Sequence, residues 1–348
     1  MKVAIIGCGA MGTIMGAYLT RAGCPVEMVD AYQAHVDAMN EKGAQVVGTA
    51  NFTAKVKAIN PAQMEGIYDV VFLFTKQTAN DAVFSSLLAH LDENSTVCTL
   101  QNGVPEPYVA QHVGEKRTVG GAVLWSATFL EPGVSQLTQN IENIDHLFEI
   151  GEMDGSVSPR IQKVADILNL MGRPTKITTE LMASRWGKLV NNACVSGMSA
   201  VCGATFGQVL ENPVSRACVS YIGREVKQCC EAAGYKLPLV GGTASPDSLA
   251  LLNQAMFEEN QRMFMDLYSV AWPAKASMLQ DLEKGNRTEV RMINGFVSDT
   301  GDRYGIDTPF NDKVVEIVSR VEAGELTYSM DNLSYFDPSL FVYENNTI

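Results

Sequence analysis

Lys188, Asn192 and Ser196 follow one another at four-residue intervals, with Asn191 beside them, in a segment otherwise made of Leu189, Val190, Ala193, Cys194 and Val195. On a helix, positions i, i+4 and i+8 share one face. The result is a polar stripe carrying a single cation, whereas an exposed helix face usually carries several charges. Two readings stand at this level. The stripe lines a water-excluded pocket, where an ammonium can clamp and then protonate a developing oxyanion, or Lys188 is a surface lysine with amide neighbours. A carboxylate, Glu289, stands in Thr288-Glu289-Val290. Thr288 is the expected N-cap, which puts Glu289 in the first helical turn, a position the helix dipole favours for an acid in any case.

A second chemical centre opens the chain. Gly7-Cys8-Gly9-Ala10-Met11-Gly12 directly follows the apolar run Val3-Ala4-Ile5-Ile6 and begins a helical pattern that runs from Met11 to about Arg21 and stops at Gly23. A second strand is expected from Pro25 to Val29, ending at Asp30, 18 residues after Gly12. Strand, glycine turn, helix and acid together form the dinucleotide fingerprint. Gly7 permits the tight turn, Gly9 lets backbone approach a pyrophosphate, Gly12 lets the helix pack on the strand, and free helical N–H groups receive the phosphates. A carboxylate at Asp30 can accept from both hydroxyls of an adenosine ribose and repels a 2′-phosphate, and no Arg or Lys follows in Ala31–His35. NAD is therefore expected rather than NADP. The plainer alternative is an Asp that only caps the next helix.

Elements must hold these groups in place. Val70–Phe74 and Val97–Leu100 read as buried parallel strands ending in Thr75-Lys76 and Gln101-Asn102-Gly103. Polar residues at strand C-termini line the crevice of an open parallel sheet, so Lys76 and Asn102 are candidates to touch cofactor or substrate. Thr118–Leu124 and Leu147–Ile150 are expected strands around an irregular Trp125–Asn143 stretch, followed by a helix at Ile161–Leu170 and a strand at Pro174–Ile177. From Thr179 the apolar period becomes helical, with long amphipathic segments near 213–234, 247–270, 288–304 and 309–323 and a Pro/Gly-rich connection at Leu237–Ser245. The tail carries Tyr335, Phe336, Phe341 and Tyr343, expected to pack on the body or on a second subunit. The expected fold class is α/β: an N-terminal Rossmann dinucleotide-binding domain (1–178) and an all-α C-terminal domain (179–348) for substrate and dimerisation.

Composition narrows the functions. The 348 residues carry a formal net charge of −13, which argues against nucleic-acid binding and obliges an anionic substrate to find a local positive site. Eight cysteines occur without any C-x-x-C, so neither a metal centre nor a redox pair is expected, and a reducing, cytoplasmic setting is. No apolar run reaches the roughly 18 residues of a membrane span.

Taken together, the glycine motif, Lys76, Leu100-Gln101-Asn102-Gly103, Trp186-Gly187-Lys188-Leu189-Val190-Asn191-Asn192, Ser277-Met278-Leu279-Gln280-Asp281 and Thr288-Glu289-Val290-Arg291-Met292-Ile293-Asn294-Gly295 resemble the ketopantoate reductase family, the 2-dehydropantoate 2-reductases. They occur in the family's order from residue 1 to about 320. The resemblance implies that Lys188 is the proton donor to the substrate carbonyl and that Asn192 binds substrate, with Ser196 one turn on. It implies that Ser277 holds the substrate carboxylate and that Glu289 stands near the substrate hydroxyl and the cofactor. Asn102 would meet both cofactor and substrate, and Lys76 would lie near the cofactor, as would Gly7, Cys8, Gly9, Ala10, Met11 and Gly12. The chain departs from the family where Ser196 and Ala274 replace frequent asparagines and where Asp30 stands in place of a basic residue.

The implied activity is reduction of a 2-oxo acid to an (R)-2-hydroxy acid, with hydride from nicotinamide C4 and a proton from Lys188, by a homodimer. The alternatives are an NAD-dependent D-2-hydroxyacid dehydrogenase acting on other branched or aromatic 2-oxo acids and a non-catalytic NAD-binding regulator. Many hydroxy-acid dehydrogenases use a histidine, but all four here lie in the first 146 residues. β-Hydroxyacid and opine-type dehydrogenases share the layout, without Ser277–Asp281 and Glu289 in the first case and with an essential histidine in the second.

Overall fold

The computed structural model describes residues 1–343 and divides into two compact units, Met1–Leu181 and Met182–Ile348. In the first unit the elements run β1 (Val3–Ile6), α1 (Ala10–Arg21), β2 (Val26–Val29), α2 (Gln33–Lys42), β3 (Ala44–Gly48), β4 (Phe52–Ala54), β5 (Lys57–Ile59) and β6 (Val70–Leu73). Next come α3 (Asn80–Leu87), β7 (Thr96–Thr99), α4 (Glu106–Val113), β8 (Thr118–Val123), β9 (Ala127–Glu131), β10 (Val134–Leu137), β11 (Phe148–Glu152), α5 (Pro159–Leu168) and β12 (Thr175–Ile177).

Eight strands form one sheet in the order β12-β11-β8-β7-β6-β1-β2-β5, parallel except where β11 meets β8. The apolar runs VAII and VVFL belong here because both faces of such a sheet are covered. Strand alternation divides them: Val3, Ile5, Val70 and Phe72 enter one apolar cluster, and Ala4, Ile6, Val71 and Leu73 the other. β1 lies between β2 and β6, the point at which successive crossovers turn in opposite directions. The crevice beyond the strand C-termini at such a point is where an open α/β sheet takes a ligand.

The expected irregular stretch at Trp125–Asn143 is instead partly regular. β9 and β10 form a hairpin that joins β3 and β4 in a second sheet, ordered β4-β3-β10-β9. This sheet packs on α1 from the side opposite the main sheet. Sandwiched in this way, α1 buries Gly12, Thr13, Ile14, Met15, Gly16, Ala17 and Leu19, more of its circumference than an amphipathic stripe would cover. Glycine suits position 16 because a Cβ there would lie 2.6 Å from Met28 Sδ.

The second unit is helical: α6 (Leu181–Cys202), α7 (Phe206–Glu211), α8 (Pro213–Ala232), α9 (Gln254–Tyr268), α10 (Ser277–Glu283), α11 (Val290–Tyr304) and α12 (Pro309–Glu322). α6 runs through the point where the two units divide. The 237–245 connection is a loop with a single bridge between Val240 and Ala244. The tail packs on its own chain: Phe341 meets Tyr221 and Phe310 edge-on, Phe336 stacks on Phe310, and Tyr343 lies beside Phe257. Among the described residues no helix is long and apolar enough to cross a membrane.

Candidate active site

In the first unit the glycine turn is shaped by contacts that forbid side chains. Gly7 has φ +89°, and a Cβ on it would sit 2.5 Å from the Thr75 backbone nitrogen. A Cβ on Gly12 would lie 2.2 Å from the Gly7 carbonyl oxygen. Gly9 differs, with an ordinary negative φ and open space where its Cβ would be. A Cβ at position 9 would meet no atom of the described residues, so the open space there is left to a group approaching the backbone closely, as a phosphate would. Gly9 is also the N-cap of α1, and no acidic residue lies in that helix's first turn. The free N–H groups of α1 therefore face an uncrowded, positively polarised end, which fits a pyrophosphate.

Asp30 braces this turn. Its Oδ2 accepts from the Cys8 N–H at 2.7 Å and its Oδ1 from the Tyr32 N–H at 2.8 Å. Tyr32 is the N-cap of α2, so Asp30 also ties down the start of that helix, and each of its oxygens keeps a lone pair for a further donor. Buried His35 holds the turn from beneath. Its Nδ1 accepts from the Gly133 N–H at 2.9 Å, so the ring proton sits on Nε2 and is donated to the Cys8 carbonyl at 2.7 Å. Gly133 lies in the β9–β10 turn, so the second sheet fixes the glycine loop through one imidazole. Thr13 Oγ1 donates to the same carbonyl.

The loops after β6 and β7 are tied together. Gln101 Nε2 donates to the Thr75 carbonyl at 2.8 Å and to Asn80 Oδ1 at 2.7 Å, and Gln77 Nε2 donates to the Asn102 carbonyl at 2.6 Å. Lys76 and Asn102 are both half-buried at these strand ends. The sequence reading named Gln101 only as part of a strand-end motif and missed Gln77, although a polar side chain in the loop after β6 was a usable signal.

In the second unit α6 carries the stripe. Leu189, Val190, Ala193, Cys194 and Val195 are buried, whereas Lys188, Asn191, Asn192 and Ser196 are partly exposed. Burial lowers the Lys188 ammonium to a pKa of about 8, the Arg185 guanidinium pushes in the same direction, and Glu289 pulls weakly upward. The contest between burial and Glu289, undecided from sequence, goes to burial. Arg185, fully buried and three residues before Lys188, is a second group the sequence reading missed. Its i−3 spacing placed it near the stripe, but its burial depends on packing.

Glu289 is itself buried and occupies the N-cap of α11. The expected Thr288 cap is therefore shifted by one residue, because the helix begins at Val290, although Thr288 Oγ1 still accepts from the Val290 N–H at 3.2 Å. Ser277 is exposed at the first position of α10, and the preceding Ala276 N–H is tied to Ser199 of α6 at 3.3 Å. Lys188, Glu289 and the α10 start are thus all anchored to, or electrostatically coupled with, the same helix. An ammonium near neutrality beside a carboxylate is suited to giving up a proton at ordinary pH.

Comparison with known proteins gives a consistent picture. The sequence model described as "Ketopantoate reductase PanE/ApbA" matches residues 3–154, and "Ketopantoate reductase PanE/ApbA C terminal" matches residues 180–322. A 2-dehydropantoate 2-reductase of Archaeoglobus fulgidus is 29% identical over 93% of this chain and 98% of its own length. One from Streptococcus pyogenes serotype M1 is 26% identical over 93% of this chain and 98% of its own. Among solved structures, D-mandelate dehydrogenase with NADH and anilino(oxo)acetate superposes with a TM-score of 0.79 at 23% identity, covering 93% of this chain and 99% of that one. A PanE/ApbA family ketopantoate reductase from Ralstonia eutropha JMP134 gives 0.78 at 24% identity with the same coverage.

Proposed function

Because this chain belongs to the ketopantoate reductase family, oxidoreductases acting on a CH–OH group, we propose that it reduces a 2-oxo acid to the (R)-2-hydroxy acid. The observation that carries the proposal is Lys188: a lysine on a polar helix stripe, brought to a pKa of about 8 by burial and by Arg185. A reduced nicotinamide dinucleotide, when bound, supplies the hydride to the carbonyl carbon. Gly7, Cys8, Gly9, Ala10, Met11 and Gly12 would hold its pyrophosphate, Asp30 its adenosine ribose, and Lys76 and Asn102 would lie near it.

The chain's own groups manage the oxygen. The Lys188 ammonium attracts the negative charge that develops on the carbonyl oxygen and then gives it a proton from Nζ. Ser277 binds the substrate carboxylate, and Asn192 and Ser196 orient the rest of the substrate. Glu289 stands near the new hydroxyl and raises the proton affinity of Lys188, which limits how far burial can lower it. Fixed positioning of this kind contributes as much as the proton itself.

A second reading is favoured by Asp30 and by the likeness to D-mandelate dehydrogenase: an NADH-dependent dehydrogenase of other branched or aromatic 2-oxo acids. All eight cysteines are buried, and a cytoplasmic location and a homodimeric assembly are proposed.

The test is oxidation of NADH and NADPH with ketopantoate, 2-oxoisovalerate, phenylpyruvate and benzoylformate. Turnover of at least one with a lysine-dependent pH profile is expected, and inertness towards all four together with absence of cofactor binding would remove the proposal. The sign of the profile follows from Lys188. Reduction needs the ammonium, so its rate is level below pH 8 and falls about tenfold per pH unit well above it, and oxidation of the product shows the opposite limb.

Gly12→Ala tests the glycine loop separately. The added methyl would press on the Gly7 carbonyl, which is backbone and cannot yield as a side chain can. NADH affinity, read by fluorescence titration, is expected to fall at least about tenfold while the chain remains folded.

A further inference from the structure

We infer that Asn294 is a positioning residue for the reduction, clamping the lysine-bearing helix at Ala193 and itself held by a buried hydrogen-bonded chain through Asn311 to Glu225. Asn294 Nδ2 donates to the Ala193 carbonyl at 3.0 Å and to Asn311 Oδ1 at 2.9 Å. Asn311 Nδ2 in turn donates to Glu225 Oε2 at 2.7 Å. The Glu225 carboxylate also accepts the Asn311 N–H and the Phe310 N–H, each at 2.9 Å, and so caps the start of α12 from α8. Four helices, α6, α11, α12 and α8, are linked by three side chains, all buried.

The bond to Ala193 is not needed to satisfy α6. A carbonyl in mid-helix already accepts from the N–H four residues on, so Asn294 uses the second lone pair. What the bond adds is register. α6 is also shaped for it: a Cβ on Gly197 would lie 3.0 Å from Asn294 Oδ1 and 3.2 Å from its Nδ2, so glycine gives the amide room to reach the backbone. The arrangement carries a cost, since Asn294 Oδ1 has no hydrogen-bond partner among the described residues. An apolar residue of similar size would avoid that penalty at position 294 but would leave Asn311 Oδ1 without its donor.

The clamp sits where register matters for chemistry. Ala193 is five residues beyond Lys188 on α6, and Asn294 is five residues beyond Glu289 on α11. Pinning the two helices together at that point fixes the separation of the ammonium from the carboxylate that acts on it. It also fixes the direction of the stripe, because Asn192 adjoins the pinned residue. An error of about 1 Å in such a constellation can cost on the order of a hundredfold in rate.

The inference rests on the reductase reading, so its test has one arm that does not depend on turnover. In Asn294→Leu, the titration of Lys188 followed by NMR of 13Cε-labelled lysine should shift down from about 8, because Glu289 acts on it less effectively. The kcat should fall about tenfold or more with KM for NADH unchanged. Should Asn294→Leu fail to fold, Gly197→Ala, whose methyl meets the amide and a Val314 methyl, gives the same two readings. A folded variant with the wild-type Lys188 titration overturns the inference, even if its thermal midpoint is lower. A shifted titration in a chain that reduces none of the 2-oxo acids would sustain the clamp and remove the reductase reading instead.

Discussion

Replacing Lys188 with alanine will lower kcat for 2-oxo acid reduction about a thousandfold while leaving NADH affinity within about twofold of wild type. The split follows from where the groups reside. The glycine turn, Asp30 and His35 are all built within the first unit, where Asp30 and His35 hold the turn. Lys188 is in the second unit, and its removal takes away both the charge that steadies the nascent alkoxide and the proton that quenches it. A thousandfold loss corresponds to about 4 kcal/mol of barrier, a reasonable sum for an electrostatic clamp and a general acid acting through one atom. Lys188→Arg should not restore the rate, since a guanidinium keeps its proton at any working pH. Stopped-flow single turnovers, together with NADH titrations, measure the two quantities independently. An alanine variant retaining a large part of the wild-type rate would take Lys188 out of the mechanism.

The cofactor preference should be reversible at two positions. Wild type is expected to use NADH at least about tenfold better than NADPH, because Asp30 repels a 2′-phosphate and can accept from the ribose diol. Asp30→Asn keeps an acceptor for one of the two backbone N–H groups that Asp30 now serves, and removes the repulsion. Combined with Ala31→Arg at the exposed neighbouring position, it should shift the ratio of kcat/KM values by about a hundredfold towards NADPH. The ratio is the quantity to compare, since loss of one loop hydrogen bond will weaken both cofactors together. An unchanged ratio in the double variant would mean that the ribose is read elsewhere.

Much of this architecture was legible in the chain. β1 and β6 announced themselves as continuous apolar runs, because a strand covered on both faces has no polar side to show. The glycine turn was legible because Gly7 and Gly12 answer to backbone collisions that any side chain would cause. The stripe on α6 was legible because four-residue spacing is local. The second sheet was not. Its strands are short and half-exposed, and the pairing of β3 with β10 joins residues about half the first unit apart, such as Gln45 and Val134, so no local pattern records it. Nor could spacing decide the Lys188 pKa, since that depends on the burial of the lysine and of Arg185. Asn294 was visible as part of a motif, but its reach to Ala193 depends on the absence of a side chain at Gly197, on another helix.

The place of β1 bears on how the chain is made. β1 pairs with a strand on each side, and the later-made of the two, β6, ends only at Leu73. Until then an apolar edge waits unpaired, the condition under which nascent chains stick to one another. Slow translation through residues 30–70 would lengthen that exposure, and a chaperone gripping Val3–Ile6 would shield a strand that both β2 and β6 must reach.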